Sequence, residues 1–512
     1  LTASAASGDK TAGTFVITGG TFSSDPSAYC AEGYVANVSE GTWVVSPEAG
    51  ATGAVVNTTQ NKGYDTIQAA IADAAEGDTI KLFEDAITTS GTCYHVSKSI
   101  TIDLNGHEIS GPANGSCSVD GTNATHFFRV VSGTLTIDDT SAEKNGSISC
   151  TYTGNSSAFT IEILTGAKVV LNEGKLTNST PYNYGGSIVY MRGTAEFTMN
   201  GGTVDGVKVV DKKRTYPIFM NATCKFTMTG GTVTSDSDPI SYNGTVSISG
   251  GELTGEVGAT GLKPAYIADG SYCVFDGTKN TISTTVPTEY TANINGKLYY
   301  TAIGGGDLAI ALAGNGDTVT LCGSTTANKT LGANNTLVIT LGEGGSYGGE
   351  VSTTSLGYEV VTAVNGSTTT YSVELTADSA IAQWNGNYYP TAYAALNAAY
   401  EAGSTLKVIL LKDSPAVTGI KGGILDLNGH KIEGSGSSGV LGLSSMNSDY
   451  SLTVIDSVGT GQVINTYANK SVVNAYYGTI TIEAGTYIGN GTAAALTASA
   501  ASGDKTAGTF VI

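Results

Sequence analysis

Two histidines stand in the same five-residue setting. "DLNGH" occurs at 103–107 and returns at 426–430, so His107 and His430 each follow an aspartate, Asp103 or Asp426, by four residues. A histidine beside an acid is the beginning of general-base or nucleophile-activating chemistry. No nucleophile and no second acid recur beside both copies in the sequence. We therefore read Asn105, Gly106 and His107, with Asn428, Gly429 and His430, as structural turns in which the histidine packs or hydrogen-bonds at a corner. Adjacent acids, Asp138 with Asp139 and Asp236 with Asp238, are the other candidates, because paired carboxylates hold calcium or divide acid–base work. The cognate of the first pair has a single aspartate, Asp456. "SDSDP" (235–239) repeats the turn chemistry of "SSDP" (23–26). Both pairs are read as solvated charge or corners, and no catalytic residue, cofactor or metal site is expected.

Seven cysteines, Cys30, Cys93, Cys117, Cys150, Cys224, Cys273 and Cys322, include no Cys-x-x-Cys pair, which argues against a zinc or thioredoxin-type site. Buried thiols and disulfides both remain open, a Cys93–Cys117 bridge across neighbouring turns among them. Asn-x-Ser/Thr triplets are frequent, several of them Asn-Gly-Ser/Thr, and turns are the preferred reading over glycans. Tyr182, Tyr184 and Tyr190 cluster in "PYNYGGSIVYM" (181–191). They are a platform for sugar rings, or tyrosines stacked along the corners of a solenoid, and the second reading is preferred.

What positions these residues is repetitive. The 512 residues are 40% hydrophobic and only 13% charged, with 69 glycines. Enough apolar surface exists to fold, and short Val/Ile/Thr runs between glycine corners point to strands. The net charge of −20 and only three arginines (Arg129, Arg192, Arg214) exclude a phosphate-tracking groove, so no nucleic-acid partner is expected. No apolar run is long enough to span a bilayer, and no membrane insertion is expected.

One order of parts appears three times: entry strand, short helix, glycine-cornered coils, closing hairpin. The helix–strand piece is "YDTIQAAIADAAEGDTIKLFEDA" (64–86), "YPTAYAALNAAYEAGSTLKVILLKDS" (389–414) and a weaker copy at 300–325. Ile67, Ala70, Ile71 and Ala74 form one apolar stripe, with Asp65 or Thr66 as cap and Gly77 as stop. "GTAEFTMNGGTVDG" (193–206), "FTMTGGTVTSDSDP" (226–239) and "VSISGGELTG" (246–255) are strand–corner–strand units. Their spacing is that of coils in a parallel β-solenoid. The fold class is all-β: right-handed parallel β-solenoid modules with short capping α-helices and closing hairpins. The modules run 47–290 (helix about 65–76), 291–376 (helix about 306–314) and 377–512.

Residues 1–46 read as the end of a module begun earlier. "LTASAASGDKTAGTFVI" fills 1–17 and again 496–512, an offset of 495 residues. The third module lacks a closing hairpin, and one stands at 31–45. Leu1, Gly13, Thr14, Phe15, Val16 and Ile17, with Leu496, Gly508, Thr509, Phe510, Val511 and Ile512, are therefore junction residues. The segment's first part reads as a Ser/Ala/Gly linker and its last as a strand.

"GDTIKLFEDA", "IDLNGHEISG", "LTVIDSVGTGQV" and "GGTFSSDPSAYCAEGYVANVSEGTWVV" together resemble right-handed parallel β-helix, tandem-repeat surface proteins of Gram-positive, gut-type anaerobic bacteria. The resemblance implies an exported structural protein, extracellular or on the cell surface, whose leader and wall anchor lie outside this segment. The expected function is one period of a tandem or head-to-tail filament, with the chain itself as partner. A glycan-binding adhesin, with surface glycans as partner, is the alternative. A polysaccharide lyase or hydrolase ranks below both, because no groove of converging acids with a basic partner can be read.

Overall fold

A computed structural model of the chain describes residues 14–31, 33–39, 41–47, 54–89, 91–113, 125–151, 158–178, 187–206, 216–235, 238–241, 243–255, 261–444, 449–498 and 507–512. Of the residues singled out above, Leu1, Gly13, Cys117, Tyr182, Tyr184, Arg214 and Asp236 lie outside these. The fold is all-β and solenoid-like. Contacts divide it into two units: Leu1–Leu312 with Thr320–Gly323, and Ala313–Val319 with Ser324–Ile512.

In the first unit three parallel sheets run side by side along the coils. Each apolar position of one coil lies in register on the same position of the next. In the first sheet Ile80, Ile102, Ile137, Leu171, Met199, Met228 and Ile248 form one such row. Ile109, Ile148, Leu176, Val204, Val233 and Leu253 form a row in the second sheet. In the third, Val130, Ile163, Met191 and Met220 align. All of these side chains are buried. The alternating Thr, Ser and Lys point outward, so period-two patterning and stacking are one fact seen along the strand and across it. Coil length varies, in the first sheet from the short step Met228 to Ile248 to the long step Ile102 to Ile137, while the register stays fixed. The variation falls in the connections.

Helix α1, Ile67–Asp73, buries Ile67, Ala70 and Ile71 against the solenoid end, and Ala74 follows them inside. Thr66, rather than Asp65, caps it: the Ala69 amide donates to its hydroxyl at 3.2 Å. The helix is shorter than the expected 65–76. Helix α2, Gly305–Leu312, starts one residue before the expected 306–314 and ends two earlier. Helix α3, Ala392–Glu401, is capped by Thr391 in the same way as α1, at 3.0 Å. Each expected entry strand is in fact a hairpin: Val55–Asn57 with Lys62–Tyr64, Ala292–Ile294 with Leu298–Tyr300, and Ala382–Trp384 with Asn387–Tyr389. The turn residues Asn61, Asn295 and Asn385 take positive φ, which lets the chain reverse.

The second unit contains a shorter solenoid built on the same plan. Its first sheet stacks Val408–Leu410, Gly422–Asp426, Ser451–Ile455, Thr479–Ile482 and Thr509–Val511 in parallel. Leu425, Val454 and Ile482 continue its core row, with α3 laid over one end through Ala392, Ala395, Leu396 and Ala399.

Candidate functional site

The two Asn-Gly-His corners superpose in every hydrogen bond that matters. Asn105 and Gly106 have φ of 47° and 82°, Asn428 and Gly429 of 49° and 80°, a reversal that suits Asn-Gly. The Asn105 amide side chain donates to the Leu82 carbonyl of the preceding coil at 2.9 Å, and Asn428 does so to Leu410 at 2.9 Å. The Gly106 N–H donates to Asp139 Oδ1 of the following coil at 2.9 Å, and Gly429 to Asp456 Oδ1 at 2.9 Å. Each corner thus bolts three coils together.

The histidines do have recurring acid neighbours, contrary to the sequence reading. His107 Nδ1 lies 3.3 Å from Asp85 Oδ1, and His430 Nδ1 lies 3.7 Å from Asp413 Oδ1. These acids also accept the next backbone amides, Glu108 at 2.9 Å and Lys431 at 2.8 Å. Asp103 and Asp426, four residues upstream, are committed elsewhere. They accept the Asn105 and Thr140 amides, and the Asn428 and Ser457 amides, and they pair with Lys81 and Lys407. What forms is a corner clasp.

The Asp138–Asp139 pair does not converge. Asp138 lies in register with Asp103 on the sheet, whereas Asp139 is fully buried and accepts the amides of Gly106, Ser141 and Gly146 at 2.9, 3.0 and 2.6 Å. Burial pushes its carboxyl up, and these bonds outweigh burial and hold it below the usual value. The cognate of Asp139 is Asp456, which accepts Gly429 and Gly461 and is depressed by the same balance. Asp238 accepts the Gly261 amide at 3.4 Å.

An acid with basic partners does assemble, where no spacing announced it. Glu162, wholly buried, lies 3.0 Å from Arg129 Nε, 2.7 Å from Arg192 Nε and 3.2 Å from His126 Nδ1. Strands Thr125–Val130 and Ala158–Ile163 bring Arg129 and Glu162 into register, and Arg192 follows Val189–Met191 on the next coil. The one available signal was a charge inside each apolar run, "HFFRVV" (126–131) and "TIEIL" (160–164). With Glu162, Arg129 and His126 shut away from solvent, the cluster is an ion network between coils and not an open groove. Beside it Tyr190 stacks on Phe159, with centroids 4.4 Å apart and planes at 12°, and the Arg192 guanidinium sits 5.0 Å from its ring centre. Tyr190 thus stacks within a strand and on a phenylalanine, not on other tyrosines at a corner.

The two copies of the repeated segment are placed differently. In the first copy of the repeated segment Ile17 bridges to Cys30 and is buried with Ala36 and Val45, while Thr14, Phe15 and Val16 are exposed and belong to no strand. In the second copy Thr509–Val511 pairs with Thr479–Ile482, and Phe510 packs on the solenoid core. Gly508 admits this approach, since a Cβ there would lie 2.4 Å from the Ala475 carbonyl oxygen. Val511 and Ile512 are 50% and 87% exposed. Leu496–Ala498 is a strand in register with Val473–Ala475, so this part of the segment is coil structure and not a linker.

The closing hairpin Tyr34–Ser39/Thr42–Pro47 then pairs directly with the next entry hairpin, Ala36 opposite Lys62 and Asn37 opposite Gly63. Lys62, which sequence reasoning missed, pins this joint. It reaches Asp73 of α1 at 2.8 Å and Asp25 at 3.4 Å, with the Trp43 ring 4.9 Å away.

Among the described residues Cys93 is disulfide-bonded, whereas Cys30, Cys150, Cys224, Cys273 and Cys322 are thiols outside any disulfide. Among the described residues no cluster of three metal-ligating side chains occurs and no helix is long and apolar enough to cross a membrane. Comparison with protein-family models, curated proteins and solved structures gives no match.

Proposed function

We propose that this chain is a structural protein of the cell exterior, one period of a β-solenoid polymer whose successive periods join head to tail. The observation that supports it is the division of labour between the two copies of one segment. The copy at 508–512 forms the first strand of a coil on the solenoid that precedes it. The copy at 14–17 leads through Ile17 into a closing hairpin that docks on the module that follows. Merged at the shared residues, the two halves make one complete module with the same order of parts as the other two. In-register parallel stacking suits such a polymer, because each coil presents the edge on which the next pairs.

Intact-mass analysis and long-read sequencing of the gene test the covalent form, with an expected spacing of 495 residues between copies of the segment. Electron microscopy of the native assembly tests the filament. A single-copy gene product that remains dispersed as single particles would overturn the proposal.

A further inference from the structure

A glycine corner leads from the first sheet of a solenoid to the next sheet, and it recurs with one spacing. Met228, Gly231 and Val233 are followed on the neighbouring coil by Ile248, Gly251 and Leu253. Ile482, Gly485 and Tyr487 keep that spacing in the second unit, and so do Ile17, Gly20 and Phe22 near the start of the chain. The backbone agrees, with φ of 104° at Gly251, 106° at Gly485 and 115° at Gly20. At the last two an aromatic ring folds back over its own corner. A Cβ on Gly485 would lie 3.6 Å from Tyr487 Cε2, and one on Gly20 3.3 Å from Phe22 Cε2.

Gly251–Thr254 has a partner on each side. It lies parallel to Thr232–Ser235, with Leu253 opposite Val233, and antiparallel to its closing hairpin, with Gly251 opposite Ile282 and Leu253 opposite Asn280. Gly20–Phe22 holds its closing hairpin in the same way, Gly20 opposite Val45 and Phe22 opposite Trp43, and Ile17 bridges to Cys30 as Ile248 does to Ile267. Its parallel partner is what differs: among the described strands Gly20–Phe22 ends its sheet, and Thr486–Asn490 ends another. Two edges with open backbone groups result. Ile488 on the second is 40% exposed. Continuity along the chain sets how they meet. Thr479 lies opposite Thr509 and Thr481 opposite Val511, and Ile512 corresponds to Ile17 of the next copy. Corners of equal length follow, Glu483-Ala484-Gly485 and Thr18-Gly19-Gly20, so Thr486 falls opposite Thr21 and Tyr487 opposite Phe22. Phe22 then extends the row Ile432, Val463, Tyr487.

We infer that the edge of Thr486–Asn490 is the docking site for Gly20–Phe22 of a second copy of this chain, paired in parallel with Thr21 opposite Thr486 and Phe22 opposite Tyr487. This is strand addition to an open edge, and a contact of this head-to-tail kind does not close on itself. Only one copy of the shared segment fits each junction. Between separate chains, 508–512 of the first keeps its place on the coil, Ile512 takes over the bridge to Cys30, and residues 1–17 of the second are displaced. Thr14–Val16 already lie outside any strand. The inference rests on the head-to-tail reading and adds to it the strand and the register.

The test is disulfide trapping between full-length chains. Thr21→Cys in one preparation and Thr486→Cys in another, mixed under mild oxidation, should crosslink at least about tenfold faster than Thr21→Cys with Ile488→Cys. The second pair shares the same face but is offset by about 7 Å along the strand. Peptide mapping separates these bonds from the native cysteines. Equal rates for the two pairs overturn the register and leave the head-to-tail reading standing, as do filaments that form with neither crosslink. Neither crosslink, with particles that stay single, overturns both. Should a variant misfold, hydrogen exchange on the unaltered protein decides. Amides of 20–22 and 486–490 that slow in the assembled protein support the pairing, and free-edge rates at both strands overturn it.

Discussion

The Gly106 N–H donates to Asp139 Oδ1 at 2.9 Å across two coils, and Gly429 repeats the bond to Asp456 at the same distance. A buried carboxylate that satisfies amides of its own loop and of the neighbouring coil is a bolt, not a base. Asp139, fully buried, and its half-buried cognate Asp456 are therefore positions at which side-chain chemistry holds the stack together, and several expectations depend on them.

Asp139→Ala leaves three backbone donors, those of Gly106, Ser141 and Gly146, without their acceptor. A buried donor left unpaired costs about 1–3 kcal/mol, and partial rearrangement of the loop limits the sum. The expected loss is about 3 kcal/mol by urea unfolding, with a similar loss for Asp456→Ala. A loss below about 0.5 kcal/mol in both would remove the bolt from the account.

The same carboxylates set an acid limit. Burial raises the Asp139, Asp456 and Asp426 carboxyls, but the hydrogen bonds they accept, joined by Lys407 at Asp426, leave each below its ordinary 3.8. A depressed folded-state value means stability that is fully present above 3.8 and is lost as pH falls through the folded value. Urea midpoints should be insensitive to these three groups between pH 7 and 5 and should fall below pH 3.8. The Asp139→Asn variant should show a shallower acid decline than the parent protein.

Gly63 tests the docking of a closing hairpin on the next module. Its added methyl would stand 1.3 Å from Asn37 Oδ1, and Asn37 is buried at 1% exposure. Gly63→Ala should cost about 1–3 kcal/mol and speed proteolytic release of the N-terminal hairpin. Gly19→Ala, whose methyl meets only the Val45 carbonyl at 3.9 Å, serves as control and should be near neutral.

Much of this architecture is legible in the sequence because its signals are local. The alternation at Phe197 and Met199, or Val246 and Ile248, names the inward face before any partner is known. Asn-Gly names its turn, and Ile67, Ala70, Ile71 and Ala74 name the helix stripe. What stayed hidden depends on coil length. Asp85 meets His107 and Asp413 meets His430 only because one coil places them side by side, and loops of unequal size scramble that distance in the sequence. Glu162 was missed for the same reason. Entry hairpins read as single strands because their first halves, such as Val55–Asn57, are only three residues long.

The thiols outside any disulfide should sort by burial. Cys150 and Cys273 are pushed up to about 12 by burial, which leaves about one thiolate in ten thousand at pH 8. Cys322 and Cys30 are only half-buried. Iodoacetamide on the native protein should label Cys322 and Cys30 first, with Cys150 and Cys273 reacting only after unfolding. Mass mapping against time reads the order. Early labelling at Cys150 would mean that the second sheet opens locally at its Ser147–Thr151 strand.

The ion network gives the most discriminating substitution. Arg129 and Arg192 converge on Glu162 from the coils on either side of it, so removing the acid leaves two guanidiniums beside an uncharged amide. Glu162→Gln should therefore cost more than Arg192→Ala. Breaking a buried pair from one side costs about 3–5 kcal/mol, whereas Arg192 is partly exposed and its loss leaves Arg129 and His126 on the acid. If the network only holds coils together, both variants should keep the parent's strand content by circular dichroism and differ in unfolding midpoint. The double variant should lose less than the two single losses combined, because the residues share one partner. Strict additivity would mean that Arg192 acts through its Tyr190 contact, 5.0 Å away, and not through Glu162.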